Sequence, residues 1–80
     1  MVNEDARVLD AKGLLCPLPV LKARKVMKDM APGSVLRVLA TDPGAPKDFV
    51  AFCRTTGNTL LSSIEADGAF VVEIRKAGAT

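Results

Sequence analysis

The chain has 80 residues, a formal net charge of +2 and 49% hydrophobic residues. That length suits a single domain, residues 1–80, burying about 60% of its unfolded surface. The apolar content specifies a folded globule, while the apolar runs are too short to span a bilayer. Asn3, Glu4, Asp5 and Arg7 interrupt any signal-peptide pattern, so a cytoplasmic location with no membrane partner is expected. The chain has no histidine, which excludes Cys-His and Ser-His dyads. Its two cysteines do not complete a four-ligand zinc site alone, and no metal is expected. Without an export signal they read as thiols rather than as a disulfide. Weak net charge and few aromatic rings argue against a nucleic-acid partner.

In chain order, Arg7 to Asp10 reads as a short strand, and Ala11-Lys12-Gly13 turns it toward a helix from Pro17 to about Met30. Val20, Ala23, Met27 and Met30 recur there at helical spacing, flanked by Val26, and predict a face packed on a sheet. Ala31-Pro32-Gly33 stops that helix, and Ser34 to Ala40 alternates as a second strand. A strand, helix, strand unit of this kind is normally a parallel crossover. Asp42-Pro43-Gly44-Ala45-Pro46 then opens a second helix, about Lys47 to Thr56, whose apolar side includes Phe49, Val50, Phe52 and Cys53. Thr59 to Glu65 and Ala69 to Lys76 are strands joined across Asp67-Gly68, a dipeptide suited to a tight hairpin. The expected fold is an α+β two-layer sandwich of order βαβαββ, a four-stranded mixed sheet with two helices on one face. Met1 to Ala6 and Ala77 to Thr80 are expected to be loose ends.

Cys16 is the candidate reactive residue. It precedes a helix in the run Gly13-Leu14-Leu15-Cys16-Pro17-Leu18-Pro19, where Pro17 suits the first helical position and Pro19 the same first turn. The run predicts Cys16 as the N-cap, its sulfur beside the free N–H of Leu18 and the positive end of the helix dipole. Such a position lowers a thiol pKa from about 8.5 toward about 7. The alternative is a small buried hydrophobe ahead of a helix. Lys22, Arg24, Lys25 and Lys28 lie off the apolar stripe and form either a solvated surface or a docking face for acidic proteins. Leu15 and Leu18 read as the apolar centre of such a dock, with core as the other reading for Leu15. Lys12 reads as a solvated loop lysine, and Cys53 as core.

Leu9-Asp10-Ala11, Gly13-Leu14 and Cys16-Pro17-Leu18-Pro19-Val20 together resemble the signature of the TusA-like (SirA) sulfur carrier proteins. Ala31-Pro32-Gly33, Ala40-Thr41-Asp42-Pro43, Phe52-Cys53 and Ile74-Arg75-Lys76 extend the likeness over nearly the whole chain. The stretch from Ala40 to Asn58 is similar to members from sulfur-oxidising bacteria. The resemblance implies a sulfurtransferase role in which Cys16 carries sulfane sulfur covalently as a persulfide, with no other cofactor. It implies a donor protein such as a cysteine desulfurase or rhodanese and a downstream acceptor protein, in tRNA thiolation, molybdenum cofactor assembly or sulfur oxidation. A monomer suits such a transfer protein. The alternatives are a small nucleic-acid-binding module, whose fold plan resembles the C-terminal domain of a translation initiation factor, and a thiol-based regulator that moves no sulfur.

Overall fold

A computed structural model describes residues 6–78. The elements run β1 (Ala6–Ala11), α1 (Leu18–Lys28), β2 (Val35–Ala40), α2 (Ala45–Thr56), β3 (Thr59–Ala66) and β4 (Ala69–Arg75). They form one four-stranded sheet in the order β1-β2-β4-β3. β1 runs parallel to β2, and β4 is antiparallel to both β2 and β3. The βαβαββ order and the mixed sheet agree with the pattern in the sequence. Ala6 begins β1 rather than lying in a loose end, and Ala77 is tied down where its N–H donates to Asn58 Oδ1 at 2.7 Å. The remaining expected loose ends, 1–5 and 79–80, lie outside the described residues.

Strand alternation decides which sheet face the helices cover. Leu36, Val38 and Ala40 of β2 and Val72 and Ile74 of β4 are buried against Ala23 and Met27 of α1 and Ala45, Phe49, Phe52 and Cys53 of α2. Phe49 and Phe52 meet edge to face with ring centroids 6.3 Å apart, the arrangement their quadrupoles favour. The intervening residues point to the open face. There Arg37 and Glu73 are cross-strand partners, paired at 2.8 Å, and Ser62 Oγ donates to the same carboxylate at 3.3 Å. β2 and β4 each have a strand on both sides, which matches their being the two most apolar strands in the sequence.

The strand ends show the expected punctuation, with one addition. Asp67 and Gly68 have φ of 53° and 81°, the pair of positive values that a type I′ hairpin requires. Gly57 ends α2 in the left-handed region at φ 83°, its N–H bonded to Cys53 O. The addition is a register shift between Leu60 and Ser62. Leu60-Leu61 places two apolar residues in succession, and the bulge keeps Leu60 on the core side while Ser62 reaches Glu73 on the other. No helix among the described residues is long and apolar enough to cross a membrane.

Candidate functional site

The parallel pairing of β1 with β2 builds the site. Ala11 and Ala40, the last residues of the two strands, are register partners, so the segments that follow them emerge side by side. Gly13 N–H donates to Thr41 Oγ1 at 2.9 Å and ties the two loops together. Each loop then enters a helix, so α1 and α2 start next to one another at this edge of the sheet. Cys16 projects from the first loop against the start of the second helix.

The helix start differs from the sequence expectation in one important respect. Pro17 is the N-cap of α1, Leu18 is its first residue, and no side chain caps it. Cys16 is therefore not the N-cap. The Leu18 N–H that a cap would have satisfied is bonded to Leu15 O at 2.8 Å, a tight turn that leaves the Cys16 side chain free to point elsewhere. It donates its S–H to Asp48 Oδ2 in the first turn of α2. α2 likewise starts at Ala45 rather than Lys47, with Gly44 as N-cap and Pro46 in its first turn.

The electrostatics follow from that contact. The hydrogen bond to Asp48, then desolvation, then the Asp48 and Asp42 charges hold the Cys16 thiol above its ordinary pKa. The expected lowering by the α1 dipole is overturned. Asp48 is the acidic residue of the α2 first turn, a position that the dipole of that helix favours. Asp42 Oδ2 accepts from Gly44 N–H at 2.9 Å just ahead of it. The positive end of α2 is thus occupied by its own carboxylates, and the sulfur faces them. Gly44 borders both groups: a Cβ there would press on Asp42 Oδ2 at 3.1 Å and would touch Cys16 Sγ at an ordinary 3.9 Å.

Cys16 lies at one end of a groove of about 320 Å³ between the two helices, lined by Pro17, Val20 and Arg24 on α1 and by Asp48, Ala51 and Phe52 on α2. Of the four basic residues on α1, Arg24 faces this groove, while Lys22 and Lys25 do not line it. Helical spacing from the buried Ala23 puts Lys22 and Lys25 on the flank away from α2. Leu15 is 68% exposed and Leu18 46% exposed, so Leu15 is not core. Leu21, one turn beyond Leu18, is 49% exposed and extends the apolar patch. Pro19 is fully buried and anchors the first turn of α1. Lys12 pairs at 3.0 Å with Asp10 near the end of β1. Cys53 is 6% exposed within the core, where burial raises its pKa.

Asp48, Asp42 and Gly44 were not picked out from the sequence. Asp48 is 32 residues from Cys16, and its role depends on two strands lying parallel and adjacent. Among the described residues no group of three or more His, Cys, Asp or Glu side chains is placed to hold a metal ion.

The family described as Sulfurtransferase TusA matches residues 7–76. The chain belongs to the TusA family. It is 54% identical over 68 residues to the sulfur carrier protein TusA of Allochromatium vinosum, covering 85% of this chain and 90% of that one. It is 42% identical over 76 residues to the sulfur carrier protein TusA of Pseudomonas aeruginosa strain LESB58, covering 95% of this chain and 96% of the relative. The crystal structure of a SirA-like protein from Desulfitobacterium hafniense superposes with a TM-score of 0.79 at 28% identity, covering 91% of this chain and 99% of that one. Membership in this family implies exchange with donor and acceptor proteins.

Proposed function

We propose that this TusA-family protein is a sulfur carrier that accepts sulfane sulfur on Cys16 as a persulfide and hands it to an acceptor protein, acting as a sulfurtransferase. The observation that carries the assignment to Cys16 is exposure: of the two cysteines, Cys16 is exposed and Cys53 buried. Cys16 also stands at the open end of a groove beside the apolar Leu15, Leu18 and Leu21, a patch suited to a transient protein contact. A reducing compartment such as the cytoplasm suits a carrier with two free thiols.

Both steps are thiol exchange. The Cys16 thiolate attacks the outer sulfur of a donor persulfide R–S–SH, the S–S bond breaks, and the donor leaves as R–S⁻. An acceptor thiolate then attacks the outer sulfur of Cys16–S–SH and returns Cys16 as thiolate. One sulfur atom moves and no net oxidation occurs. Pro17 and Pro19 fix the start of α1 and hence the place of the sulfur. Loading with inorganic polysulfide, followed by intact-mass measurement, tests the assignment. The wild type should gain the mass of one sulfur atom, and Cys16→Ser should not. A persulfide on the Cys16→Ser protein would place the carrier atom elsewhere.

A further inference from the structure

The sulfur that a carrier must expose as an anion is bordered by two carboxylates. Asp48 on α2 accepts the Cys16 S–H, and the Asp42 charge, from the loop between β2 and α2, adds to the effect. Among the described residues, the only cation lining the groove is Arg24 on α1. Among the described residues the side-chain ion pairs are Lys12–Asp10 and Arg37–Glu73, so Arg24 is not engaged with either site carboxylate. Lys12, in the loop that carries Cys16, is taken up by Asp10. Among the described residues, then, neither carboxylate beside Cys16 is ion-paired with a cation.

We propose that Asp48 is a positioning residue for sulfur transfer: its carboxylate holds the Cys16 thiol proton in the free protein, and a cationic group of the docking donor that pairs with Asp48 releases the sulfur to react. The proposal rests on Cys16 being the carrier atom. When a lysine or arginine of the donor engages Asp48, the carboxylate no longer stabilises the S–H. The proton passes to solvent, and the thiolate attacks the donor persulfide as above. In the loaded protein the anion Cys16–S–S⁻ faces the same carboxylates once the donor has left, and their repulsion favours passing the outer sulfur on. A donor that is itself an anion is repelled throughout. The device makes the carrier selective for donors that present positive charge beside their persulfide.

The test uses Asp48→Asn, which keeps the shape and a hydrogen-bond acceptor but removes the charge, and Asp48→Glu, which restores it. Iodoacetamide alkylation followed against pH should give a lower midpoint for Asp48→Asn than for wild type, with Asp48→Glu close to wild type. Loading from cysteamine persulfide, which carries an ammonium beside its persulfide, is then compared with loading from inorganic polysulfide, which carries only negative charge. The preference of the wild type for the ammonium-bearing donor should exceed that of Asp48→Asn by about fivefold, the scale expected for a unit positive charge about 4 Å from a carboxylate in a water-like medium. In the wild type that preference should shrink as salt rises, a check that needs no variant. An unchanged alkylation midpoint in a folded Asp48→Asn protein, or a wild-type donor preference that ignores salt, overturns the proposal. Absence of any persulfide on wild-type Cys16 overturns the carrier assignment instead, and the alkylation midpoints distinguish the two failures.

Discussion

Lys76 follows the last strand, yet its ammonium holds the end of the first helix. Its Nζ donates to Lys28 O at 3.4 Å, a carbonyl of the last turn that the helix itself leaves without a partner, and to Met30 O at 2.7 Å just beyond the C-cap. Lys76→Met keeps most of the stem and removes the donor. A hydrogen bond from a charged group contributes about 1.5–3 kcal/mol. The side chain is only partly buried and the second bond is long, so the loss should fall near the lower end, about 1.5–2 kcal/mol. The dipole interaction is the same contact seen electrostatically and is not added again. At about 0.05–0.15 kcal/mol per residue, 80 residues correspond to roughly 4–12 kcal/mol of total stability. The variant should therefore melt about 6–16 °C lower. Urea unfolding followed by circular dichroism checks the free energy, and Lys76→Arg should recover most of it. Sulfur loading should persist at temperatures where the variant is folded, since Cys16 lies at the opposite end of α1. A loss below about 0.5 kcal/mol, the range of an ordinary surface substitution, would show that the ammonium is merely solvated and refute the tie between β4 and α1.

Gly44→Ala should change stability by no more than about 1 kcal/mol: the smaller unfolded-state entropy favours it, and the displaced Asp42 contact opposes it. Its new methyl beside Cys16 Sγ should slow alkylation by a neutral reagent, and an unchanged rate would show that this flank is not a route to the sulfur. Asp42→Asn should lower the alkylation midpoint of Cys16 less than Asp48→Asn does, because Asp48 adds a hydrogen bond to its charge and Asp42 acts by charge alone. The raised Cys16 pKa also sets a sign for stability. The folded state binds this proton more tightly than the unfolded chain, so its contribution is complete below the ordinary thiol pKa and is lost as pH rises through the folded value; denaturant midpoints measured above neutral pH should fall less in Cys16→Ser. Arg24→Glu should slow transfer with a protein partner more than Lys22→Glu combined with Lys25→Glu, because Arg24 lines the groove; equal effects in stopped transfer assays would make the whole helix surface the dock. Cys53→Ser should still load sulfur while costing about 1–3 kcal/mol in urea unfolding for the buried hydroxyl.

Much of this protein is written locally in its sequence. The alternation of Leu36, Val38 and Ala40, the helical recurrence of Ala23 and Met27, and Asp67-Gly68 each specify an element through short-range geometry that the structure repeats. The exposed placement of Cys16 was also legible, because two prolines and a glycine mark the loop that presents it. The chemistry around the sulfur was not. Reading Cys16 as a helix cap used only its neighbours in the chain, and those neighbours predict a lowered pKa. The parallel pairing of β1 with β2 instead places the loop against the start of α2, where Asp48 and Asp42 already occupy the positive end of that helix. A carboxylate in contact outweighs a dipole one residue further along the chain, because a full charge with a hydrogen bond acts more strongly than the partial charge of a helix terminus. Likewise the sequence shows four basic residues on α1, but only the packing of α1 beside α2 selects Arg24 to face the groove. Local pattern determined the elements and singled out Cys16; the sheet order, which no local pattern encodes, decided what its sulfur faces.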